Sequence, residues 1–506
     1  MKTILTALNA RYSHSSLALR YLQKYCNEFD IELAEFTIND NMHSVYARLI
    51  EKEADVYCFS CYIWNITQTT LIAQMIKTAL PNCKIVFGGP QCEGDFEFVD
   101  YFITGEGEQA LFELLSAIEQ NTQMPKTISC KPLPDLSKIP QPYNRTDIEA
   151  LKGKIIYFET SRGCPFSCSY CLSSIQKGVR FFPMNYVKKG LSMLFEERVP
   201  IIKLVDRTFN CNKERAAEII EFITENSICS QVHLEIAPHL IDEEIIRRLS
   251  DAPKLFKLEM GIQSTNEQTL KAINRSFDLI LSAENIKKLK NAGLEIHLDL
   301  IAGLPFEDYN SFSRSFDFVY SLSPDMLQLG FLKVLQGTAV KQEKSIKHMH
   351  TPPFEVLATD WLTPFELCRL KDIENAVDRI YNSKAFARSI KKLTENKPFL
   401  TFEALAEKIK NAEKDGSIPR YALYEILYDF GGDKIIEELA FDFLQNNKDR
   451  PLPSFLPKTS HENFKQFCHK YLKENNLSQK DVRFEGIFGK TILADYKNDS
   501  IKYIGD

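Results

Sequence analysis

Residues 159–174 read ETSRGCPFSCSYCLSS, and they follow an apolar run, KIIYF, that has the composition of a buried strand. Cys164, Cys168 and Cys171 stand in the spacing C-x3-C-x2-C within a loop that leaves this strand, and Gly163 and Pro165 shape the turn. Three thiolates so close together can hold three irons of a cubane cluster that ordinarily takes four ligands, leaving one iron open. An open coordination position is what a catalytic metal centre needs to engage a small ligand, such as the amino and carboxylate groups of an amino acid. A structural zinc would want a fourth ligand nearby, yet Cys130, Cys211 and His233 are all remote in sequence.

Outward from this loop, strand and helix alternate. Strands are expected at KIIYFET (154–160), PIIKLVD (200–206), VHLEIAP (232–238), LFKLEMGIQS (255–264), LEIHLDLIAG (294–303) and DMLQLGFLK (325–333). Amphipathic helices such as KERAAEIIEFITEN (213–226) and SAENIKKLKNAG (282–293) fill the gaps. Six such units over 151–340 predict a partial (β/α)6 barrel of the TIM type. Side chains alternate faces along a strand, so Glu295, His297 and Asp299 oppose Ile296, Leu298 and Leu300. Likewise Lys257, Glu259, Gly261 and Gln263 oppose Leu258, Met260 and Ile262. Several strands with a polar inner face imply a lumen that holds ligand and water, with the apolar face turned to the helices.

Toward the N-terminus, residues 1–122 repeat a different unit. Strands at TILTAL, IELAEFTI, DVYCFSCY, KIVFGG and DYFITG alternate with helical patterns near 15–26, 43–52, 66–79 and 107–119, and less clearly near 91–98. This is the pattern of a doubly wound parallel sheet in the flavodoxin-like (Rossmann-type) order, whose ligands bind beyond the carboxyl ends of the strands. Those ends carry NARYSHSS, SCYIWN, GGPQ and GEGE, and Gly88, Gly89 and Gly105 let a backbone approach a ligand closely. Cys58 and Cys61 read as small core hydrophobes on opposite faces of one strand. Residues 123–150, with five prolines, suit an extended linker. Residues 341–506 carry amphipathic helical stretches and no catalytic motif, and read as a mostly helical domain of unknown function, either a cap over the barrel or a packing module. His348 and His350 read as loop residues.

Composition sets the frame. The 506 residues carry a net charge of -6, with acids and bases interspersed and no long basic run, which offers no nucleic-acid signal. Thirteen cysteines scattered over a large chain fit reduced thiols better than a disulfide framework. No long apolar run suggests a membrane span and the opening residues do not read as a secretory signal, so a cytoplasmic α/β protein is expected.

The cysteine triad, with Tyr170 before its last member, resembles the signature of the radical S-adenosylmethionine (SAM) superfamily. The resemblance implies a [4Fe-4S] cluster that reduces S-adenosyl-L-methionine to give a 5'-deoxyadenosyl radical. It further implies that Asp206 and Thr208 of VDRTFN lie near the methionyl amino group, and Glu259, Gln263 and Ser264 of EMGIQS near the ribose and carboxylate. DLIAGLPFED is similar to the family's adenine-binding strand, with Ile301, Gly303 and Glu307 as the matching residues while Asp299 stands in place of the first glycine.

The N-terminal domain is similar to the cobalamin-binding domains that precede many such enzymes. Their D-x-H-x-x-G, S-x-L and G-G pattern aligns with Tyr12–Leu17, with Ser60 to Tyr62 and with Gly88-Gly89, 42 residues separating Leu17 from Ser60 and 27 separating Ser60 from Gly88. His14 keeps the histidine position without the orienting Asp, so a weakened or absent cobalt bond is expected. The alternative is that Ser13 caps the helix and His14 merely starts it. Ser60, Gly88, Gly89, Gly105 and Glu106 are candidates for cobalamin contact. The whole resemblance implies a cobalamin-dependent radical SAM methyltransferase that moves a methyl group from methylcobalamin to an unactivated carbon. A non-methylating rearrangement or cyclisation enzyme, a methylthiotransferase and a non-catalytic corrinoid-binding protein are the alternatives. A small-molecule or peptide substrate and a low-potential electron donor such as flavodoxin or ferredoxin would be the partners.

Overall fold

A computed structural model describes residues 1–94, 96–275, 277–414, 416–456, 463–487 and 489–504. The chain divides into two compact units. One comprises Met1–His297, Gly303–Glu307 and Phe331–Trp361; the other comprises Leu298–Ala302, Asp308–Gly330 and Leu362–Asp506.

The first unit opens with β1 (Lys2–Asn9), α1 (Leu17–Tyr25), β2 (Asp30–Thr37), α2 (Met42–Ile50), β3 (Val56–Ser60), α3 (Ile66–Ala79), β4 (Lys84–Gly88), β5 (Tyr101–Thr104), α4 (Glu108–Glu119) and β6 (Thr127–Ser129). The strands form one parallel sheet in the order β2-β1-β3-β4-β5-β6, the flavodoxin-like order extended by a strand. Helices cover both faces, which is why the strands are nearly continuous apolar runs. Ile4, Phe59 and Phe87 join one core and Leu5, Cys58 and Val86 the other. Cys61 falls in the core opposite Cys58, as strand alternation requires, and burial pushes both thiols far up.

Two expectations change here. Residues 91–98 form turns rather than a helix among the described residues, and Phe96 packs its ring on Phe87, Phe98 and Phe102. Residues 123–150, expected as an extended linker, pack closely. Thr127 pairs with Phe102 to add β6, Ile128, Leu136, Ile139, Tyr143 and Ile148 are buried, and α5 (Arg145–Ala150) starts with an Asn144/Asp147 capping box. The prolines punctuate this segment, and the apolar residues between them anchor it.

The second sheet runs β7-β10-β11-β12-β13-β14, built from β7 (Ile156–Phe158), β10 (Ile201–Leu204), β11 (Gln231–Glu235), β12 (Phe256–Gln263), β13 (Glu295–Ala302) and β14 (Met326–Phe331). Between β7 and β10 the chain inserts an antiparallel ribbon of β8 (Ser161–Cys164) and β9 (Gly178–Phe181). Helices α6 (Met184–Glu196), α7 (Lys213–Asn226), α8 (Glu243–Asp251), α9 (Glu267–Ala272), α10 (Leu279–Asn291) and α11 (Tyr309–Ser321) follow the strands. α7 shows why the periodicity was readable: Asn212 accepts from the Arg215 amide at 2.9 Å, and Ala216, Ile219, Ile220 and Ile223 form its buried stripe. In β12 and β13 burial alternates strictly, Leu258, Met260, Ile262, Ile296, Leu298 and Leu300 being fully enclosed.

The second unit is largely helical. Pro398–Ala412 packs Phe399 and Phe402 on Phe316 of α11, and the Phe399 amide donates to Asp317 at 2.7 Å. Asp442, 2% exposed, accepts from the Arg388 and Ser389 amides and so satisfies the start of helix Ala387–Leu393. It also carries a three-stranded antiparallel sheet, Val482–Ile487, Lys490–Asp495 and Ser500–Ile504, which helical periodicity did not foretell. In the first unit, His348 ends a short strand rather than lying in a loop.

Candidate active site

Cys164 lies on β8, paired opposite Gly178. Gly163 has φ +96°, and a Cβ there would come 2.2 Å from the Gly178 carbonyl oxygen, so only glycine allows the ribbon to close beside the first cysteine. The Cys171 amide donates to the Cys168 carbonyl at 3.1 Å, folding the remainder of the loop into a turn. The three thiols lie near enough to act on one another electrostatically, and burial raises the Cys168 thiol, with Cys164 and Cys171 adding to the rise. Among the described residues no three Cys, His, Asp or Glu side chains gather closely enough to hold a single ion. Thiolates around one zinc sit about 2.3 Å from the metal, whereas those around a cubane stand farther apart. The three thiols of this loop are the donor set that a cluster with one open iron takes.

Asp206 is 1% exposed and accepts from the Thr160 amide at 2.9 Å, the Thr160 hydroxyl at 2.7 Å and the Ser161 hydroxyl at 2.5 Å. Its oxygens hold the β7 to β8 junction and so position the cysteine strand. Thr208 brings its hydroxyl 3.5 Å from Cys164 Sγ and donates to the Arg207 carbonyl at 2.7 Å. Glu259 accepts from Lys203 at 2.8 Å, with Glu235 3.6 Å from the same ammonium group. Lys257 pairs with Glu295 at 2.7 Å, and His297 lies 3.2 Å from that carboxylate. The polar faces of these strands are thus largely matched charge to charge. Ser264 donates to Glu307 at 2.6 Å, fixing two of the expected positions against each other. Gln263 adopts φ +72° at the end of β12, and its buried Oε1 has no hydrogen-bond partner among the described residues. Ile301 and Gly303 lie at and just beyond the end of β13, Gly303 with φ +87°. Tyr170 is half-buried, and burial raises its hydroxyl.

A cavity of about 930 Å³ opens at the carboxyl ends of the first sheet. His14, Ser60, Gly88, Gly89, Gly105 and Glu106 all line it, together with Leu172 and Ser173 directly after Cys171. Gly89 has φ +108°, and a Cβ there would meet the Cys61 carbonyl oxygen at 2.8 Å; Gly105, at φ +80°, leaves its surroundings open to 4.0 Å. His14 packs edge-on to Tyr157 with ring centroids 6.0 Å apart, and burial, with Arg11 and Lys203, lowers its pKa. The helix behind it is capped by Ser16, not Ser13, whose carbonyl instead accepts from the Ile155 amide. The reason is a buried network: Glu35 accepts from the Ser16 amide at 2.7 Å and from Asn9 at 2.8 Å, and pairs with Arg20 at 2.6 Å.

A second network went unseen in the sequence. Arg162, two residues before Cys164, pairs with Glu106 at 2.8 Å, Glu108 at 2.7 Å and Glu159 at 2.8 Å, and Arg180 also reaches Glu106. Its guanidinium lies 5.2 Å from the Tyr21 ring and 5.5 Å from that of Phe182. Burial pushes the Glu159 carboxyl up to about 7 against the pull of Arg162. Glu106, which lines the cavity, is therefore engaged by two arginines. GEGE after β5 was the available signal, but nothing in it names a partner more than fifty residues away.

Two family models match these two sheets: one described as a B12 binding domain covers residues 4–115, and one described as the Radical SAM superfamily covers residues 158–319. The chain carries a B12-binding domain followed by a radical SAM domain. Its residues 342–500 match a third model, described as a protein of unknown function (DUF4080). The cobalamin-dependent radical SAM methyltransferase TokK of Streptomyces tokunonensis is 29% identical over 301 residues, 51% of this chain and 44% of TokK. The 2-(S-pantetheinyl)-carbapenam-3-carboxylate methyltransferase of Streptantibioticus cattleyicolor is 26% identical over 304 residues, with the same shares. The chain thus spans under half the length of these curated relatives. The structure of OxsB, with aqua-cobalamin and S-adenosylmethionine bound, superposes over 94% of this chain and 84% of OxsB, with a TM-score of 0.62 and 12% identity, which establishes a shared fold. A B12-binding radical SAM protein takes cobalamin, a [4Fe-4S] cluster and S-adenosylmethionine. The glycine-walled cavity and the three-thiol loop fit the first two of these. No described helix is long and apolar enough to cross a membrane.

Proposed function

We propose that the chain is a cobalamin-dependent radical SAM methyltransferase acting on an unactivated carbon. One observation carries the reading: a single cavity is lined both by the ligand edge of the first sheet and by the residues that follow Cys171. When bound, the cluster supplies the electron that splits S-adenosylmethionine into methionine and a 5'-deoxyadenosyl radical, and cobalamin supplies the methyl group. The protein's own part is to hold and to enclose. Cys164, Cys168 and Cys171 would hold the cluster. Gly88, Gly89 and Gly105 would let the first sheet close on the cobalamin, with Ser60 beside them. His14, lacking a carboxylate to orient its ring, would form a wall of the cavity rather than a strong cobalt ligand. Apolar lining such as Leu5, Phe59, Val86 and Leu172 keeps water from a reactive carbon. A small-molecule or peptide substrate, a low-potential flavodoxin or ferredoxin as reductant and a cytoplasmic location complete the proposal; the need for a reductant follows from the family itself.

The test is anaerobic reconstitution of the full chain with iron, sulfide and cobalamin, followed by S-adenosylmethionine and a reductant. About four irons, one retained cobalamin, and both 5'-deoxyadenosine and S-adenosylhomocysteine among the products are expected. Four irons and 5'-deoxyadenosine without retained cobalamin would leave a radical enzyme whose first sheet binds something else, and methyl transfer would fall.

A further inference from the structure

Cys168 is the most enclosed of the three cysteines, 5% exposed, and it is held from outside its own loop. The Ser169 amide donates to the Ile273 carbonyl at 2.9 Å, and Asn274 Nδ2 donates to the Ser167 carbonyl at 3.0 Å and to its hydroxyl at 2.6 Å. Residues 273–274, at the end of α9, therefore grip the chain on both sides of Cys168. The next residue, Arg275, places Nη1 3.6 Å from Cys168 Sγ and donates from Nη2 to the Gly261 carbonyl on β12. Its backbone amide is fixed on Leu270 at 2.9 Å, and the Phe277 ring lies 5.3 Å from the guanidinium carbon. Among the described residues no carboxylate pairs with this guanidinium. Among the described residues its buried Nε also has no hydrogen-bond partner, a condition that points to a group still to be received.

We infer that Arg275 is a positioning residue for the cluster: its guanidinium holds the Cys168 thiolate and, as the unmatched cation beside it, raises the cluster's reduction potential. The inference rests on the cluster reading proposed above. The physical ground is general: one added electron makes the cluster more negative, and both a nearby cation and an N–H donor on a ligand sulfur stabilise the reduced form. No bond is made or broken at Arg275.

The test uses the reconstituted full chain and its Arg275→Lys and Arg275→Met variants, read by iron content and by redox titration followed with electron paramagnetic resonance. With about four irons in each, the Met variant is expected to show a roughly tenfold lower reduced fraction at fixed potential, a midpoint lower by about 59 mV for one electron. The Lys variant, keeping charge without the fork, should fall between. Iron loss confined to the Met variant, with the Lys variant at a lowered midpoint, would also support the assignment. Full iron and a wild-type midpoint in both variants would overturn it, as would weakened S-adenosylmethionine binding with an unmoved midpoint. Wild-type protein that takes up no cluster would instead defeat the cofactor reading on which the inference stands.

Discussion

Two arginines flank the cysteine loop in opposite settings. Arg162 is ringed by Glu106, Glu108 and Glu159, while Arg275, beside Cys168, has no carboxylate partner among the described residues. The first cation is consumed by the fold, tying the end of the first sheet to the strand that carries Cys164. The second faces the Cys168 thiol and the Gly261 carbonyl, with its charge not matched by a carboxylate among the described residues. Being near a metal loop therefore does not define what an arginine does; the charges already facing it do.

The largest effect should come from the ligands themselves. Cys168→Ala should abolish 5'-deoxyadenosine formation and leave the chain short of its iron, whereas a retained cluster would show that another residue can replace it. Next is Arg162→Met, which leaves three carboxylates around one remaining arginine; breaking such a buried network costs about 3–5 kcal/mol, measurable by denaturant unfolding. A loss under about 1 kcal/mol, the range of exposed pairs, would erase the contrast with Arg275. Gly89→Ala should cost about 1–3 kcal/mol through its positive φ and the contact with the Cys61 carbonyl, and should weaken cobalamin retention.

Glu159 sharpens the comparison through pH. Its carboxyl is raised from 4.5 to about 7, so the folded chain keeps a proton that the unfolded chain releases. Below pH 4.5 both states hold it and nothing is lost; between there and about 7 stability falls as pH rises; above 7 the loss is complete. Relative to Glu159→Gln, the wild type should lose up to about 3 kcal/mol across that window, and parallel curves would mean that Arg162 keeps the carboxylate charged throughout. The smallest effect is expected from His14→Ala: retained cobalamin with an unchanged absorption spectrum, against a shifted spectrum if the ring binds cobalt.

The sequence carried whatever depends on local order. Alternation in Glu295–Leu300 and Lys257–Gln263, the α7 stripe and the C-x3-C-x2-C spacing each concern residues a few positions apart, and each reappears in the structure. What stayed hidden depends on distant partners. Nothing near Asp206 in the sequence tells that Thr160 and Ser161 donate to its oxygens, and Ser13 reads as a cap until Glu35 is found holding the Ser16 amide. The packed segment 123–150 was masked for another reason: its prolines dominate the composition, while its anchors are single apolar residues.

The central claim is that cobalamin and the cluster face one cavity. In reconstituted protein holding both groups, the paramagnetic resonance signal of the cobalt should be relaxed or split when the cluster is reduced, and should return to its isolated form in Cys168→Ala protein. A cobalt signal indifferent to the state of a fully assembled cluster would contradict the account.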